Sequence, residues 1–541
     1  MPTRLVDVAT PMASTAPLRV AVVGGSLGGL AAAVALGVEA GCEVDVFERS
    51  PRMQMTEGAG LWVQAEFENY MRDNGVTDIA EAGCTPDSMT ILDIHGKKIY
   101  QGDGGGTAAC WDVLHGSYLA ALERLPAGSA EYHSGVEVDA AATVDGHLGS
   151  SSGGGDDEPV VLRFSDGMRR EFDLVVFCDG SASRARPALG QYATPPFREA
   201  DVRGWAGYWI WRSTIQEEDL PPDLAEYCKG EYIWYYLRQA EGEWRDGGRM
   251  PPHVHDPSLP GTGHFLMYPV PGQDGSITPG KRRLMWAWYV VPGIEDPLAT
   301  FEAVMTDVNG VLNTAGVGRG KVRPEIVRRL HDIAVAVLPP PLARLVALAS
   351  DPYPQALLDT AVPQMAFRRI ALIGDAAFTA RPTTGAGTTK AAINGIELGR
   401  ALKGVQSGGV TEALRGWEPE QIDIGRVLVA RGGNGVTGVS GKLSAFPDDY
   451  AIGRRVQEPP PAPYVAEAIR EYLADPEVAE LRTRRVYAST GVSSKPSASR
   501  PSQSDSADAV RSGREGFWTQ RVLAEQGRND LGGDQRSPAR L

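Results

Sequence analysis

The clearest pattern of hydrophobic and polar positions lies at residues 369–403, RIALIGDAAFTARPTTGAGTTKAAINGIELGRALK. The apolar run Ile370–Ile373 closes at a glycine, which predicts a short buried strand, and residues 386–402 carry apolar positions at helical spacing. Asp375 would then follow the carboxyl end of a strand, where open α/β sheets bind ligands. The free N–H groups of the helix start suit an anion or a polarised carbonyl. The alternative is an ordinary strand–loop–helix connection with Asp375 as a helix cap.

A similar pattern opens the chain. It predicts three successive elements: a strand at 19–23, an Ala-rich helix at 30–40 and a second strand at 43–47. Gly24 and Gly29 in the turn GGSLGG fill the first and third positions of the dinucleotide-binding fingerprint, with Ser26 at the second. Glu48 ends the second strand, where an acid would bind a ribose hydroxyl. This fingerprint alone leaves FAD and NAD both open.

Residues 204–293 are aromatic and alternate in polarity. They predict four strands of a broad antiparallel sheet, GWAGYWIWRSTI, EYIWYYLR, HFLMYPVPG and RRLMWAWYVVPG. Such a sheet could wall a pocket for a flat aromatic substrate, or it could be only a well-packed core. Upstream of it, residues 174–178 predict a buried strand that turns at Asp179-Gly180. His115, on a predicted helix, is expected to be partly exposed.

These patterns predict an α/β fold, with a Rossmann-like dinucleotide-binding domain, an inserted antiparallel-sheet substrate domain and a helical C-terminal region. The predicted divisions are a flexible N-terminus at 1–17, the first part of the dinucleotide-binding domain at 18–190, the substrate domain at 191–360, the second part of the dinucleotide-binding domain at 361–430, a C-terminal helical region at 431–491 and a Ser-rich, disordered tail at 492–541.

Composition narrows the classes of partner. Lys plus Arg number 53 and Asp plus Glu 68, giving a net charge of −15, so no attraction to nucleic acid or anionic lipid is expected. The five cysteines are scattered and indicate neither a disulfide framework nor a zinc site. Residues 1–17 lack the apolar core of a signal peptide, and glycines interrupt the apolar stretch 20–40. We therefore expect a cytoplasmic protein without bound metal that acts on small molecules.

Three patches taken together resemble a known family. GGSLGG with Glu48, CDGSASRAR, and IGDAAFTARPTTGAG are similar, in order and spacing, to the three FAD motifs of the class A flavoprotein aromatic hydroxylases, the p-hydroxybenzoate hydroxylase type. The resemblance spans residues 18–427 and implies that the Rossmann-like domain, at 18–190 and 361–430, is an FAD-binding domain. Within the family, VVGGSLGGL, WAGYWIWR, MYPVPG and GDAAFTARP, with Lys390 downstream, resemble the 2,6-dihydroxypyridine 3-monooxygenases most in style.

The resemblance implies a set of cofactor-binding positions: Gly24, Ser26, Gly29, Glu48, Arg49, Gly60, Asp179, Asp375, Gly387 and Thr388. In the family pattern the first three hold the FAD pyrophosphate and Glu48 the adenosine ribose, while Gly60 lies along the flavin. Asp179 lies near the pyrophosphate and the NAD(P)H path, and Asp375 binds the ribityl chain or pyrophosphate. The Gly387-Thr388 backbone faces the flavin N1/O2 edge, in agreement with the helix-start argument above.

The chain departs from the family pattern at five positions. Cys178 stands for the usual Ala, Phe378 for a frequent His, Thr389 for Asn, Asn394 for Asp, and Trp111 for an Arg that often contacts the flavin. The pyridine-type relatives share several of these changes, so we do not interpret them as loss of activity. They leave open which side chain, if any, replaces the Arg contact.

The implied reaction is hydroxylation of an electron-rich ring, a hydroxypyridine or phenol, by NAD(P)H and O2 through a flavin C4a-hydroperoxide. The sequence shows no evident general base. Polar candidates for the substrate wall are Arg212, His264, Tyr268 and Gln64. Two alternatives stay open: an epoxidase or tailoring hydroxylase of secondary metabolism, and a flavin-binding interaction protein without turnover. A homodimer is compatible with the family, and the sequence leaves the oligomeric state, the substrate and the choice between NADH and NADPH open.

Overall fold

A computed structural model describes residues 16–51, 60–63, 65–93, 95–104, 106–149, 158–236, 263–290 and 297–436. Several predictions therefore lie outside the described residues. They concern Gln64, the N-terminal residues 1–15, the C-terminal region from 437 onward and the tail at 492–541.

The described residues form eighteen strands. In chain order they are β1 Arg19–Val23, β2 Glu43–Glu48, β3 Gly60–Trp62, β4 Ser88–Leu92, β5 Lys98–Asp103, β6 Ala108–Cys110, β7 Ala130–Ser134, β8 Val160–Arg163, β9 Arg169–Phe172, β10 Leu174–Phe177, β11 Arg203–Gln216, β12 Glu231–Tyr236, β13 His264–Val270, β14 Arg283–Val290, β15 Tyr353–Ala361, β16 Ala366–Phe367, β17 Ile370–Leu372 and β18 Phe378–Thr379.

Thirteen α-helices lie within the same described ranges. They are α1 Leu27–Ala40, α2 Ala65–Asp73, α3 Ile79–Ala82, α4 Trp111–Glu123, α5 Ala140–Leu148, α6 Ala185–Gly190, α7 Glu199–Val202, α8 Pro222–Cys228, α9 Pro297–Met305, α10 Pro324–Val337, α11 Pro340–Leu348, α12 Gly387–Ala401 and α13 Val410–Val436. No helix in the described part of the chain is long and apolar enough to cross a bilayer.

A six-stranded sheet carries the two glycine-rich turns. Its order is β16-β17-β10-β1-β2-β7, and all neighbours are parallel except β16 and β17. The strands are short, apolar and buried, as parallel strands covered on both faces require. Parallel pairing puts the carboxyl ends of β1, β10 and β17 at one edge, so the three motifs meet there.

Helix α1 is apolar on nearly every side because it is buried between the parallel sheet and α12. Small residues make this close packing possible. A Cβ added at Gly395 of α12 would lie 2.5 Å from the Cα of Ala32, and one at Gly399 would lie 2.8 Å from the carbonyl oxygen of Ala35. Most of the apolar stretch 20–40 is therefore α1, the buried helix of the first βαβ unit.

The second sheet has eight strands in the order β18-β15-β11-β14-β13-β12-β4-β5. The four strands predicted from the aromatic stretch are β11, β12, β13 and β14. One face packs against α8 to α11 through residues such as Trp286 and Trp288, both fully buried. The opposite face carries Tyr208, Tyr232, Tyr268 and Tyr289, and we call it the tyrosine face.

The β4–β5 hairpin joins this sheet from well upstream in the chain. β4 pairs with β12 in parallel, whereas the predicted sheet was purely antiparallel and began after residue 190. Glu231, the first residue of β12, is buried and accepts hydrogen bonds from Ser88, Thr90 and Lys98 of the hairpin. These hydrogen bonds satisfy the carboxylate and fix the hairpin to the sheet, a pairing that local sequence patterns do not reveal.

Candidate active site

The turn after β1 needs glycine at two positions. Gly24 has φ +113°, and a Cβ added there would lie 2.3 Å from the carbonyl oxygen of Cys178. A Cβ added at Gly29 would lie 1.8 Å from the carbonyl oxygen of Gly24. The first glycine therefore makes the turn, and the second lets α1 approach β1, as the fingerprint requires.

Glu48 closes this turn from the end of β2. Its Oε2 accepts from the Gly25 N–H at 2.9 Å, and its Oε1 accepts from the Ser50 N–H at the same distance. The side chain is buried, whereas its neighbour Arg49 is exposed. The structure thus brings the acid directly against the glycine turn and orients it through the backbone.

Three aromatic side chains surround the loop at Gly25 and Ser26. The indole Nε1 of Trp111 donates to Ser26 Oγ at 3.2 Å, and His115 Nε2 lies 3.1 Å from the Gly25 carbonyl. The Tyr132 hydroxyl donates to the same carbonyl at 3.3 Å. The prediction that His115 is partly exposed is wrong, because the ring is buried between Trp111 and the loop, and this burial lowers its pKa.

Asp179 follows β10 at the same edge of the sheet. Its Oδ2 accepts from the N–H groups of Arg184 and Ala185, and its buried Oδ1 has no hydrogen-bond partner among the described residues. The turn is held by Arg186, which is fully buried, pairs with Glu199 and donates to the Ala376 carbonyl at 2.8 Å. One buried guanidinium thereby ties the second motif to the third.

The three motifs converge on the thiol of Cys178. A Cβ added at Gly28 would lie 2.9 Å from its Sγ, and one at Gly374 would lie 3.2 Å away. Burial, together with the charges of Asp179 and Asp375, raises the pKa of this thiol to about 12. Cys178 is therefore a protonated packing group, not a nucleophile.

Asp375 follows β17 and lies beside the start of α12. Its Oδ1 is 3.2 Å from Nζ of Lys390, which also donates to the Phe378 carbonyl. Lys390 is 1% exposed, whereas the Asp375 side chain is 47% exposed. The carboxylate is thus held from inside the protein and open on its outer side.

The loop before α12 is fixed to the second sheet by another buried ion pair. Arg381 donates to both oxygens of Asp359 on β15, and its guanidinium lies over the ring of Tyr208. Gly385, at φ +63°, packs near Trp62. A Cβ added at Gly387 would meet nothing within 4 Å, so open space lies beside Gly387.

Gly60 brings β3 against the tyrosine face. A Cβ added there would lie 2.7 Å from the Tyr268 hydroxyl oxygen. Trp62 stacks on Tyr268 with centroids 5.4 Å apart and meets the edge of Tyr232 at 5.0 Å. The tyrosine face and the glycine loop at Gly385 therefore meet at Trp62.

Arg212 lies on the tyrosine face in the middle of the second sheet. It pairs across β11 and β14 with Ala287, whose small side chain leaves it room, and Tyr289 and Met285 flank that alanine. Its Nε is buried and has no hydrogen-bond partner among the described residues. Burial raises the pKa of Tyr289 to about 12 and also raises that of Tyr268, while the charge of Arg212 lowers both.

His264 sits at the margin of the same face. The ring is 1% exposed and lies between two aromatic rings, 4.0 Å from that of Tyr289 and 5.6 Å from that of Trp234. The structure therefore brings three of the four predicted substrate-wall residues, Arg212, Tyr268 and His264, onto one surface. Gln64 lies outside the described residues.

Sequence reasoning missed the groups that hold the site together. The ion pairs Arg186–Glu199 and Arg381–Asp359 join an arginine within a quoted motif to an acid 13 or 22 positions away that lies in no motif. Lys390 was noted only as part of a family style. The one available signal was chemical: lysine and arginine in otherwise apolar stretches require buried partners.

The three motifs together fit an adenine dinucleotide. The glycine turn has no space for side chains, the Asp179 Oδ1 atom has no hydrogen-bond partner within the described ranges, and open space lies beside Gly387 at the start of α12. These features suit a phosphate-bearing ligand that lies along the carboxyl edge of the parallel sheet and reaches the tyrosine face.

Comparisons with known proteins agree with this geometry. A family model described as "FAD binding domain-like" matches residues 259–359. The chain is 28% identical over 413 residues to the 2,6-dihydroxypyridine 3-monooxygenase of Paenarthrobacter nicotinovorans, covering 76% of this chain and 89% of that protein. It is 25% identical to the FAD-dependent monooxygenase SAT7 of Stachybotrys chartarum, covering 76% and 81%.

A solved structure extends the comparison to the fold. The 2,6-dihydroxypyridine-3-hydroxylase from Arthrobacter nicotinovorans matches with a TM-score of 0.62 at 27% identity, covering 82% of this chain and 99% of that one. The resemblance to this family and the Rossmann-like fold predicted from the sequence are thus confirmed. This chain is therefore similar to the class A FAD-dependent monooxygenases over 76% of its length.

Proposed function

We propose that the protein uses NAD(P)H and O2 to hydroxylate an electron-rich aromatic ring, a hydroxypyridine or a phenol. The observation that carries the proposal is the tyrosine face, where Arg212 presents a buried Nε that has no hydrogen-bond partner in the described part of the chain. A flat ring would stack there on apolar surface, and a phenolate or carboxylate would pair with the guanidinium. The names of the relatives above support the same chemistry.

We propose that the cofactor lies between the two sheets. Gly24, Ser26 and Gly29 would hold the pyrophosphate, with Glu48 and Arg49 at the adenosine ribose. Asp179 and Asp375 would bind the middle of the cofactor, and the remaining positions on the flavin side would be Gly60, Gly387 and Thr388. When bound, FAD supplies the electron transfer and the oxygen activation.

The protein's own residues would then bind, orient and exclude water. Trp62 and Tyr268 form a stacked aromatic wall, and the raised pKa values of Tyr268 and Tyr289 keep both phenols protonated at neutral pH. Both can therefore donate hydrogen bonds to an anionic substrate. Arg212 would fix the orientation of the ring relative to the flavin.

NADH and NADPH oxidation by the purified protein, tested against hydroxypyridines, phenols and aromatic acids, decides the proposal. Product mass must increase by one oxygen for the stimulating compound. Stimulation by 2,6-dihydroxypyridine would identify a catabolic hydroxylase. Stimulation only by larger ring systems would favour a tailoring hydroxylase or epoxidase, and a flavin that no reductant of this kind reduces would favour a non-catalytic binding protein.

A further inference from the structure

Lys390 is a buried cation at the site to which neither the fingerprint nor the motif positions assign a role. It lies in the first turn of α12 and is 1% exposed. Its Nζ has two acceptors in the part of the chain that the structure describes, Asp375 Oδ1 and the Phe378 carbonyl. A buried ammonium is costly unless it is paired, so its position beside Asp375 requires a reason.

The ion pair is unequal in its exposure to solvent. Lys390 contacts only Oδ1 of Asp375, and nearly half of the carboxylate side chain remains exposed. Oδ2 therefore remains available to a ligand that approaches from the open side. Because Lys390 binds Oδ1 from the protein interior, it sets the direction in which Oδ2 of Asp375 points.

The lysine also supplies a fixed charge that solvent screens little. It lies beneath the start of α12, where the helix N–H groups carry partial positive charge of the same sign. Its charge acts on the neighbouring Cys178 thiol, whose pKa it lowers against the larger effects of burial, Asp179 and Asp375. The same field would reach a cofactor at Gly387 and Thr388.

We propose that Lys390 is a positioning residue for the bound flavin, which orients Asp375 toward the cofactor and favours the reduced state electrostatically. The inference rests on the proposed placement of FAD beside Asp375 and α12. Two electrons and one proton convert the neutral oxidised flavin ring into a reduced ring with one negative charge. A fixed cation nearby stabilises that product over the reactant.

The test compares Lys390→Met with Lys390→Arg and with Lys403→Met, which removes an exposed lysine beyond the other end of the same helix. FAD affinity is measured by titrating the apoprotein, and the midpoint potential of the bound flavin by equilibration with a reference dye. We expect Lys390→Met to weaken FAD binding roughly 10-fold to 100-fold and to shift the potential to more negative values. Lys390→Arg should retain most of the potential, and Lys403→Met should match the wild type.

A second pair of variants isolates the charge if Lys390→Met does not fold. Asp375→Asn alone keeps the lysine cation, and Asp375→Asn with Lys390→Met keeps neither charge, so no buried charge is left unpaired. At saturating FAD, the single variant should have the more positive potential.

Three outcomes would overturn one conclusion or the other. Equal potentials in wild type and Lys390→Met, or in the single and double Asp375 variants, would overturn the role of Lys390 and leave the cofactor assignment intact. The same holds if Lys390→Met lowers only the melting temperature of the apoprotein. A wild-type protein that does not bind FAD would instead overturn the proposed function.

Discussion

The parallel sheet and the eight-stranded sheet build their halves of the site by different means. In the parallel sheet, the site is defined by backbone segments that lie too close together to leave room for a side chain, as at Gly24 and Gly29. In the eight-stranded sheet, strand register defines the site, because pairing places Arg212 opposite Ala287, with Tyr289 and Met285 on either side of that alanine. Backbone geometry restricts a position to one residue type, whereas register can be satisfied by many residues. The cofactor half should therefore tolerate substitution poorly, and the substrate half should change specificity while remaining folded.

The largest expected effect comes from filling the glycine turn. Gly29→Ala would place a Cβ 1.8 Å from the Gly24 carbonyl oxygen, and α1 would have to separate from β1. We expect the free energy of unfolding to fall by about 3 kcal/mol or more. Denaturant titration measures it, with Gly116→Ala as the control, since nothing lies within 4 Å of a Cβ at this exposed helical glycine. A stable, flavin-loaded Gly29→Ala protein would contradict the comparison.

The next effect concerns the carboxylate at the third motif. Asp375→Asn keeps the shape but removes the charge, so we expect FAD to bind roughly 10-fold to 100-fold more weakly while the protein remains folded. Asn is preferable to Ala here because Ala would also remove the oxygen that faces the buried Lys390 ammonium. Asp332→Asn, on an exposed position of α10, is the control, and unchanged FAD content in Asp375→Asn would show that the cofactor lies elsewhere.

On the substrate half, Arg212→Met should separate binding of substrate from binding of flavin. We expect KM to rise about 10-fold or more for an anionic substrate, because a charge-assisted hydrogen bond is lost, with FAD content unchanged. Titration of the bound flavin's absorbance with the substrate gives the same quantity without turnover. Arg344→Met removes an exposed ion pair with Asp223 and serves as control. Loss of flavin from Arg212→Met would show that the two halves are not separable.

The smallest effect should appear in the stability of the protein at acidic pH. Burial alone would raise the pKa of Glu231, but hydrogen bonds from Lys98, Thr90 and Ser88 outweigh it, so its pKa lies below the ordinary 4.5. The Glu231 carboxylate therefore binds a proton less readily in the folded state than in the unfolded state. Its contribution to the free energy of unfolding is present above the ordinary pKa and is lost as pH falls through the lowered pKa. Glu231→Gln should flatten the acid limb of a stability curve measured by denaturant. An unchanged acid limb would show that the hairpin does not depend on this charge.

The comparison also explains what the sequence could predict. The βαβ turns, the strand before Asp375 and the four aromatic strands depend on local patterns, and all are present. The hairpin β4–β5, by contrast, belongs to the second sheet through a parallel pairing with β12 that no local pattern encodes. Likewise, Lys390 and Trp111 acquire their roles only when α12 and α4 bring them to Asp375 and Ser26. Which side chain faces the substrate depended on register, so the sequence could suggest Arg212 but could not select it.

The β4–β5 hairpin is synthesised long before β12, the strand with which β4 pairs. Ser88 and Glu231 are 143 residues apart, so β4 leaves the ribosome well before β12 exists. At about 5–20 residues per second, its open edge waits roughly 7 to 30 seconds for that partner. Unpaired strand edges are templates for aggregation. Yield in a host cell should therefore depend on translation rate and on chaperones that cover this hairpin, more than on the stability of the finished protein.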